Sequence, residues 1–323
     1  SPKNLFDPDT GIYVVGNDYI EWKNSDEAQG GFFFGFGTPR GNFNQKGREW
    51  ERTKGFSTRN NPGKGFNVIA RKKYGKSRIE SETLLPNNYD INGEQIKEYK
   101  SFSLRCIGVE DRISDVLGQD IIQNRTKMTT VNMKKSILFL NGEYWGLYII
   151  NEHLTKEFIS TNYNLPRKYV SLLKDNELEE GPEEDTANFI KYANDTAKKD
   201  FTSNEMIKEV GKFIDLDSLV EHFVCGLFIS ILDWPNHNYG AWRYNGKEIE
   251  GNKYTDGKWR FITYDMDYSL GKTFGAFGGI YGVPSKGYEY DPFLHLNRYK
   301  GIPADLFKAM LNNTDFRNRF LNL

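Results

Sequence analysis

Residues 216–232 carry Leu216, Leu219, Val220, Phe223, Val224, Leu227, Phe228, Ile231 and Leu232, an apolar stripe at helical spacing. A helix that is apolar over most of its circumference has to be buried, so the chain must build layers on more than one side of it. Ser218 and Glu221 are placed as a capping box just inside its start. The residue that follows the stripe is Asp233. A carboxylate at a helix C-terminus meets the unfavourable pole of the helix dipole and calls for a cation or metal, where a plain turn would use Gly or Lys.

The 323 residues suffice for one large α+β domain or two lobes with an ample core. Formal net charge is −1, so the chain as a whole is not a nucleic-acid binder, and any anionic ligand must be held locally. Aromatics at 15% together with 31 Gly suggest many strands and tight turns, a mix common in secreted bacterial proteins. Cys106 and Cys225 both lie in apolar segments and read as buried thiols rather than a disulfide framework or a zinc site. No run of 18 apolar residues occurs, so no transmembrane helix is predicted. The chain opens at Ser1 without Met, which leaves room for a processed or trimmed N-terminus.

The pattern along the chain is α+β without internal repeats. Residues 1–54 read as an ordered, irregular lead-in rich in Gly, Asn and aromatics. Strands are predicted over 66–71 and 101–107, and a helix over 113–124. Residues 136–140 and 144–150 flank Asn141-Gly142, a strong hairpin signal because Asn-Gly supplies the positive φ of a two-residue turn. The acidic stretch 175–185 reads as a solvated loop. Helical segments follow through 232, then strands over 241–244 and 258–264, a long Gly- and Tyr-rich loop over 271–301 and a final helix over 303–311.

Residues 233–238 read Asp-Trp-Pro-Asn-His-Asn, and an apolar run later closes on Tyr264-Asp265-Met266-Asp267. An Asp, an Asn five residues on and a later Asp form the order protein kinases use: the first orients the acceptor hydroxyl, and the other two hold Mg²⁺ against the nucleotide phosphates. Mg²⁺ takes hard oxygen ligands from carboxylates and amide carbonyls, so the residue types suit the chemistry. By itself Asp-x-x-x-x-Asn is a weak pattern, because Asp and Asn are common in turns. Asp267, two residues beyond Asp265 on an extended chain, would face the opposite way and is a second-choice ligand. His237 suits Mg²⁺ poorly and reads as a packing or hydrogen-bonding residue. Trp234, Trp242 and Trp259 read as core rather than as adenine stackers.

Several blocks together resemble the spore-coat protein H (CotH) kinase family. They are Leu5-Phe6-Asp7 with Thr10-Gly11-Ile12-Tyr13, Arg48-Glu49-Trp50-Glu51-Arg52, FNVIARKKYG from Phe66, FLNGEYWGLYIINE from Phe139, DWPNHN from Asp233 and WRFITYDMD from Trp259. The resemblance spans nearly the whole chain, and the hairpin block and the DWPNHN…DMD pair are its most specific parts. It implies an atypical protein-kinase-like two-lobed fold in a single domain, with a strand-rich lobe over about 1–152 and a helix-rich lobe over about 153–323. It also implies a secreted or spore-associated protein kinase that uses ATP with Mg²⁺ or Mn²⁺ to phosphorylate Ser of partner proteins, located outside the cell, on its surface or in the spore coat. Position by position, Asp233 matches the catalytic aspartate, Asp265 the metal-binding aspartate and Asn238 the Asn five residues after the catalytic one. Two departures fall on the nucleotide-covering side: a segment usual in the family is missing between the REWER block and Pro62-Gly63-Lys64, near residues 53–58, and the chain stops at Leu323 inside a helical pattern.

Lys64, after Pro62, and Arg71, ending a strand, are the first candidates for a phosphate-binding cation, with Arg105 a third. Glu152 closes the hairpin's second strand and either pairs one of them, as a kinase Lys–Glu pair does, or starts the next helix. Each cation has an ordinary reading as a surface salt-bridge partner. Two other function classes remain beside the kinase: a non-catalytic binding or structural module of an extracellular assembly, and a metal-dependent hydrolase. Retention of Asp233, Asn238 and Asp265 favours the enzyme, and a chain with only four His disfavours the hydrolase.

Overall fold

The computed structural model describes residues 28–31, 48–54, 65–72, 75–106, 113–123, 125–140, 142–271 and 289–323, with the side chains of 28–31 and 48–54 left aside. The chain is a mixed helix-and-strand protein with antiparallel sheets. It divides into two compact units, Ser1–Asp111 with Val131–Leu154, and Arg112–Thr130 with Thr155–Leu323.

The first unit is built on β1 (Ala28–Gly31), β2 (Arg48–Lys54), β3 (Gly65–Ile69), β4 (Ile79–Glu80), β5 (Glu98–Tyr99), β6 (Ser101–Cys106), β7 (Met133–Leu140) and β8 (Glu143–Glu152). Six of these form one sheet in the order β1-β2-β3-β6-β8-β7, and β4 pairs with β5. β3 buries Phe66 and Val68 and leaves Asn67 and Ile69 half-buried, the period of two that a one-sided strand requires. The hairpin follows its predicted register: Leu140 faces Glu143 across a two-residue turn, and Gly142 takes φ +85°. Asn141 itself lies outside the described residues. Phe66, Val68, Phe102, Leu104, Tyr148 and Ile150 form the core, joined by Leu84, Leu85 and Ile96 from the irregular segment between β4 and β5. β3 stops at Ile69, so Arg71 stands beyond the strand expected to end on it and is exposed.

The second unit holds α1 (Ile113–Gln123), α2 (Lys156–Asn162), β9 (Val170–Lys174), β10 (Glu177–Glu180), α3 (Glu183–Thr196), α4 (Asn204–Phe213), α5 (Leu216–Phe228), β11 (Tyr239–Tyr244), β12 (Arg260–Thr263), α6 (Pro292–Arg298), α7 (Ala304–Met310) and α8 (Thr314–Leu321). Its sheet runs β10-β9-β11-β12, antiparallel throughout. α5 buries most of its stripe, with Leu219, Val220 and Phe223 fully enclosed and Phe223 stacked on Phe307 at 3.8 Å between ring centroids, whereas Phe228 at its end is exposed against expectation. Enclosing one such side chain contributes about 1.5–3 kcal/mol.

Four expectations are corrected here. The cap of α5 is Asp215, whose carboxylate accepts from Ser218 N; Ser218 Oγ instead accepts from Phe261 N, and Glu221 accepts from Lys127 N. α5 ends at Phe228, because Ser230 takes φ +56° and the Ile231 and Ser230 amides bond back to Gly226 and Leu227, closing a Schellman turn. The acidic stretch 175–185 is the β9–β10 turn, β10 and the start of α3, since Pro182 and three acidic residues suit a helix N-terminus. α6 lies inside the segment read as a loop, capped by Asp291 with Pro292 at its first position.

Candidate functional site

The carboxylates singled out by the sequence stand on two loops of the second unit that are sewn together. After the Schellman turn, Leu232 N donates to Tyr268 O at 2.8 Å and Leu270 N donates to Ile229 O at 2.8 Å. The Leu232 carbonyl accepts from His295 Nε2 at 2.8 Å and from Tyr299 Oη at 3.2 Å. Asp233 therefore leaves a fixed backbone, several residues past the end of α5, and the helix-dipole argument for its placement does not apply. Its neighbour Trp234 is buried against Gly226 of α5, where a Cβ would lie 2.6 Å from the indole ring. Only glycine admits that approach.

Asn238 adopts φ +56°, a conformation Asn tolerates better than most residues, and this turns its side chain back onto the start of its own motif. Asn238 Nδ2 donates to Asp233 Oδ2 at 2.7 Å and fixes the rotation of that carboxylate. Asn238 O accepts from Tyr264 N at 3.2 Å, which ties the motif to the chain leaving β12. There Asp265 takes φ +59°, and Met266 N donates to Asp115 Oδ1 at 3.1 Å. Asp115, buried on α1, thus clamps the turn that carries Asp265, and Gln119 Nε2 holds Thr263 O at 3.1 Å from the same helix. β12 has ended by then, so the extended-chain argument that set Asp267 on the opposite face fails; Asp267 is buried within the turn.

A third carboxylate belongs to this electrostatic neighbourhood. Asp175 and Asn176 form the two-residue β9–β10 turn with φ +50° and +67°, the signature of a type I′ hairpin. Asp175 Oδ1 accepts from Tyr239 N at 3.3 Å, and Asp175 N donates to Tyr239 O at 3.0 Å. Sequence reasoning missed this carboxylate, because Asp175 lies in what reads as a solvated acidic loop. Its local signal is the Asp175-Asn176 pair just after Val170-Ser171-Leu172-Leu173.

Burial first, and the charge of Asp265 second, push the Asp233 carboxyl up to about 7, with Asp175 adding to the effect and the Asn238 hydrogen bond opposing it. Burial likewise raises Asp175, against the Tyr239 amide and the Tyr264 hydroxyl. Asp233 Oδ1 is enclosed and has no hydrogen-bond partner among the described residues. A buried carboxylate oxygen left in that condition costs of the order of 1–3 kcal/mol or more, and a cation relieves it. Among the described residues no three His, Cys, Asp or Glu side chains form a closed metal cage. Asn238 and Asp265 offer hard oxygen ligands, the type that Mg²⁺ takes one or two at a time beside waters and phosphate oxygens.

The remaining candidates belong to the first unit. Lys64 lies outside the described residues. Arg105 is half-buried on β6, opposite Ile149 of β8. Glu152 is buried, ends β8, and accepts from Asn88 Nδ2 at 2.7 Å and from Asn132 N at 3.0 Å. In the second unit His237 is exposed, which removes packing from the two roles expected of it and leaves hydrogen bonding, whereas Trp234, Trp242 and Trp259 are core. Cys225 is buried as expected, whereas Cys106 is only half-buried. No helix among the described residues is long and apolar enough to cross a membrane.

The model of one protein family, described as CotH kinase protein, matches residues 52–323. No curated protein sequence matches the chain.

Proposed function

The chain belongs to the CotH kinase family, and from that premise we propose that it is a secreted or spore-associated protein kinase that transfers the γ-phosphate of ATP to Ser of partner proteins. The observation that supports this most is the meeting, on two joined loops, of Asp233 with an unpartnered oxygen, Asn238 bonded to it, and the charge of Asp265. On this reading the two units are the lobes of a kinase-like fold, with Lys64, Arg71, Arg105 and Glu152 as nucleotide-binding candidates.

Asp233 is the catalytic residue. Its work is to orient the acceptor hydroxyl and take the proton late, for which it must be ionised. Asn238 serves it by holding Oδ2, so that the carboxylate meets the hydroxyl in one rotation. Asn238 and Asp265 would hold the divalent ion, with Asp267 the second choice. When bound, Mg²⁺ or Mn²⁺ neutralises charge on the phosphates and on the carboxylates. Asp115 and Gln119 keep the Asp265 turn in place from α1.

Titration calorimetry with ATP, with and without Mg²⁺, tests the metal assignment. The parent should show a Mg²⁺-dependent gain in affinity that Asp265→Asn loses. An Asp265→Asn protein that binds Mg-ATP like the parent contradicts the assignment. A parent that binds Mg-ATP yet transfers no phosphate to any acceptor is instead a non-catalytic module.

A further inference from the structure

His222 lies on α5, 0% exposed, with Trp234 on one side and Thr263 on the other. Trp234 Nε1 donates to His222 Nε2 at 3.1 Å. An indole N–H can only donate, so Nε2 carries no proton, and in the neutral ring the proton is on Nδ1. Nδ1–H then donates to Thr263 Oγ1 at 2.8 Å, and the Thr263 hydroxyl is left to donate to Met128 Sδ at 4.0 Å. Burial favours the same neutral form, lowering the imidazole to about 3. The ring is also boxed in by aromatics: it stacks on Phe261 at 5.1 Å and 30°, and meets Trp234 and Phe223 edge-on.

Trp234 follows Asp233 directly, and Thr263 stands two residues before Asp265. The backbone bonds between the two loops lie on their far sides, at Leu232–Tyr268 and Ile229–Leu270. On the near side the end of the motif is held to β12 by the Asn238 O–Tyr264 N bond and the β11–β12 ladder, and its Asp233-Trp234 start is held to Thr263 through this imidazole. From this geometry we infer that His222 is a positioning residue, which sets where the Asp233 end of the motif stands relative to Asp265 through a directional Trp234–His222–Thr263 relay. This rests on the kinase reading for what the two loops do, but not for how they are held. A hydrophobic ring would fill the same space without fixing the register, since only the two hydrogen bonds have direction.

The test compares the parent with His222→Phe, His222→Gln and Thr263→Val in the full chain. Three quantities are read: Tm, Mn²⁺ affinity in the presence of ATP, and the rate of phosphate transfer to a Ser-rich peptide. His222→Phe keeps the ring and loses both bonds; transfer should fall roughly 10- to 100-fold and Mn²⁺ affinity about tenfold. Gln can accept from Trp234 through Oε1 and should recover a clear part of both losses. Thr263→Val should move both quantities in the same direction as His222→Phe, and it carries the comparison alone if His222→Phe does not fold. A lowered Tm with transfer and Mn²⁺ affinity kept overturns the inference, because the ring then only fills space. A parent that transfers no phosphate defeats the kinase reading instead, and Mn²⁺ affinity then decides. Weaker binding in the variants upholds the relay; equal binding, or none by the parent, overturns it.

Discussion

At the scale of single residues, Asp233 is placed where its charge is least welcome. Its carboxyl is raised from 3.8 to about 7, so the folded protein binds this proton more tightly than the unfolded chain does. Stability from this group is therefore fully present below about 3.8 and is lost as pH rises through about 7. Asp233→Asn removes the charge and keeps the shape. In metal-free buffer it should raise Tm at pH 8 by clearly more than at pH 4, a comparison that differential scanning calorimetry makes directly. An equal effect at both pH values would show that Asp233 is not the raised group. Phosphate transfer should show the opposite dependence, rising with pH as Asp233 ionises. Asp233, Asn238 and Asp265 could be picked out in the sequence because their chemistry is carried by type and spacing. Asp175 and Asp115 could not, because they reach the same loops from a hairpin turn and a helix far away in the chain, and no local pattern announces a tertiary contact.

At the scale of elements, α5 organises the second unit, and its apolar stripe was the clearest structural signal in the chain. Its ends were misjudged for a physical reason: Ile231 and Leu232 continue the apolar pattern, but they are buried as part of the loop after a Schellman turn. Periodicity reports burial, and the left-handed Ser230 that stops the helix leaves it unchanged. The hairpin of the first unit was legible down to its turn because Asn-Gly chemistry is local. Gly226, by contrast, reveals its purpose only in three dimensions. Gly226→Ala should destabilise the protein by about 1–3 kcal/mol, since the Trp234 ring must move or the helix must shift. Urea unfolding measures this. A loss under about 0.5 kcal/mol would show that the approach of Trp234 is not needed for stability.

At the scale of the whole molecule, the second unit is discontinuous in sequence. Arg112–Thr130 supplies α1, Asp115 and Gln119 on the Asp265 turn, Lys127 on Glu221, and Thr129, which accepts from Trp242 Nε1 at 3.0 Å. A fragment of residues 155–323 lacks all of these and should unfold without a cooperative transition, whereas residues 112–323 should keep one, as followed by circular dichroism in urea. Equal cooperativity in both would show that α1 is dispensable. The family and the mixed α/β character were readable from blocks that span the chain. The discontinuity was not, because the change from strand-rich to helix-rich patterning near Glu152 masks the one helix that precedes it. In the proposed reaction Asp233 acts on the acceptor rather than on the nucleotide. Transfer of radiolabelled phosphate from ATP, measured for the parent and for Asp233→Asn with ATP affinity recorded alongside, tests it most directly. The account predicts transfer reduced roughly a hundredfold or more with ATP affinity nearly intact; transfer by Asp233→Asn at the parent rate would contradict it.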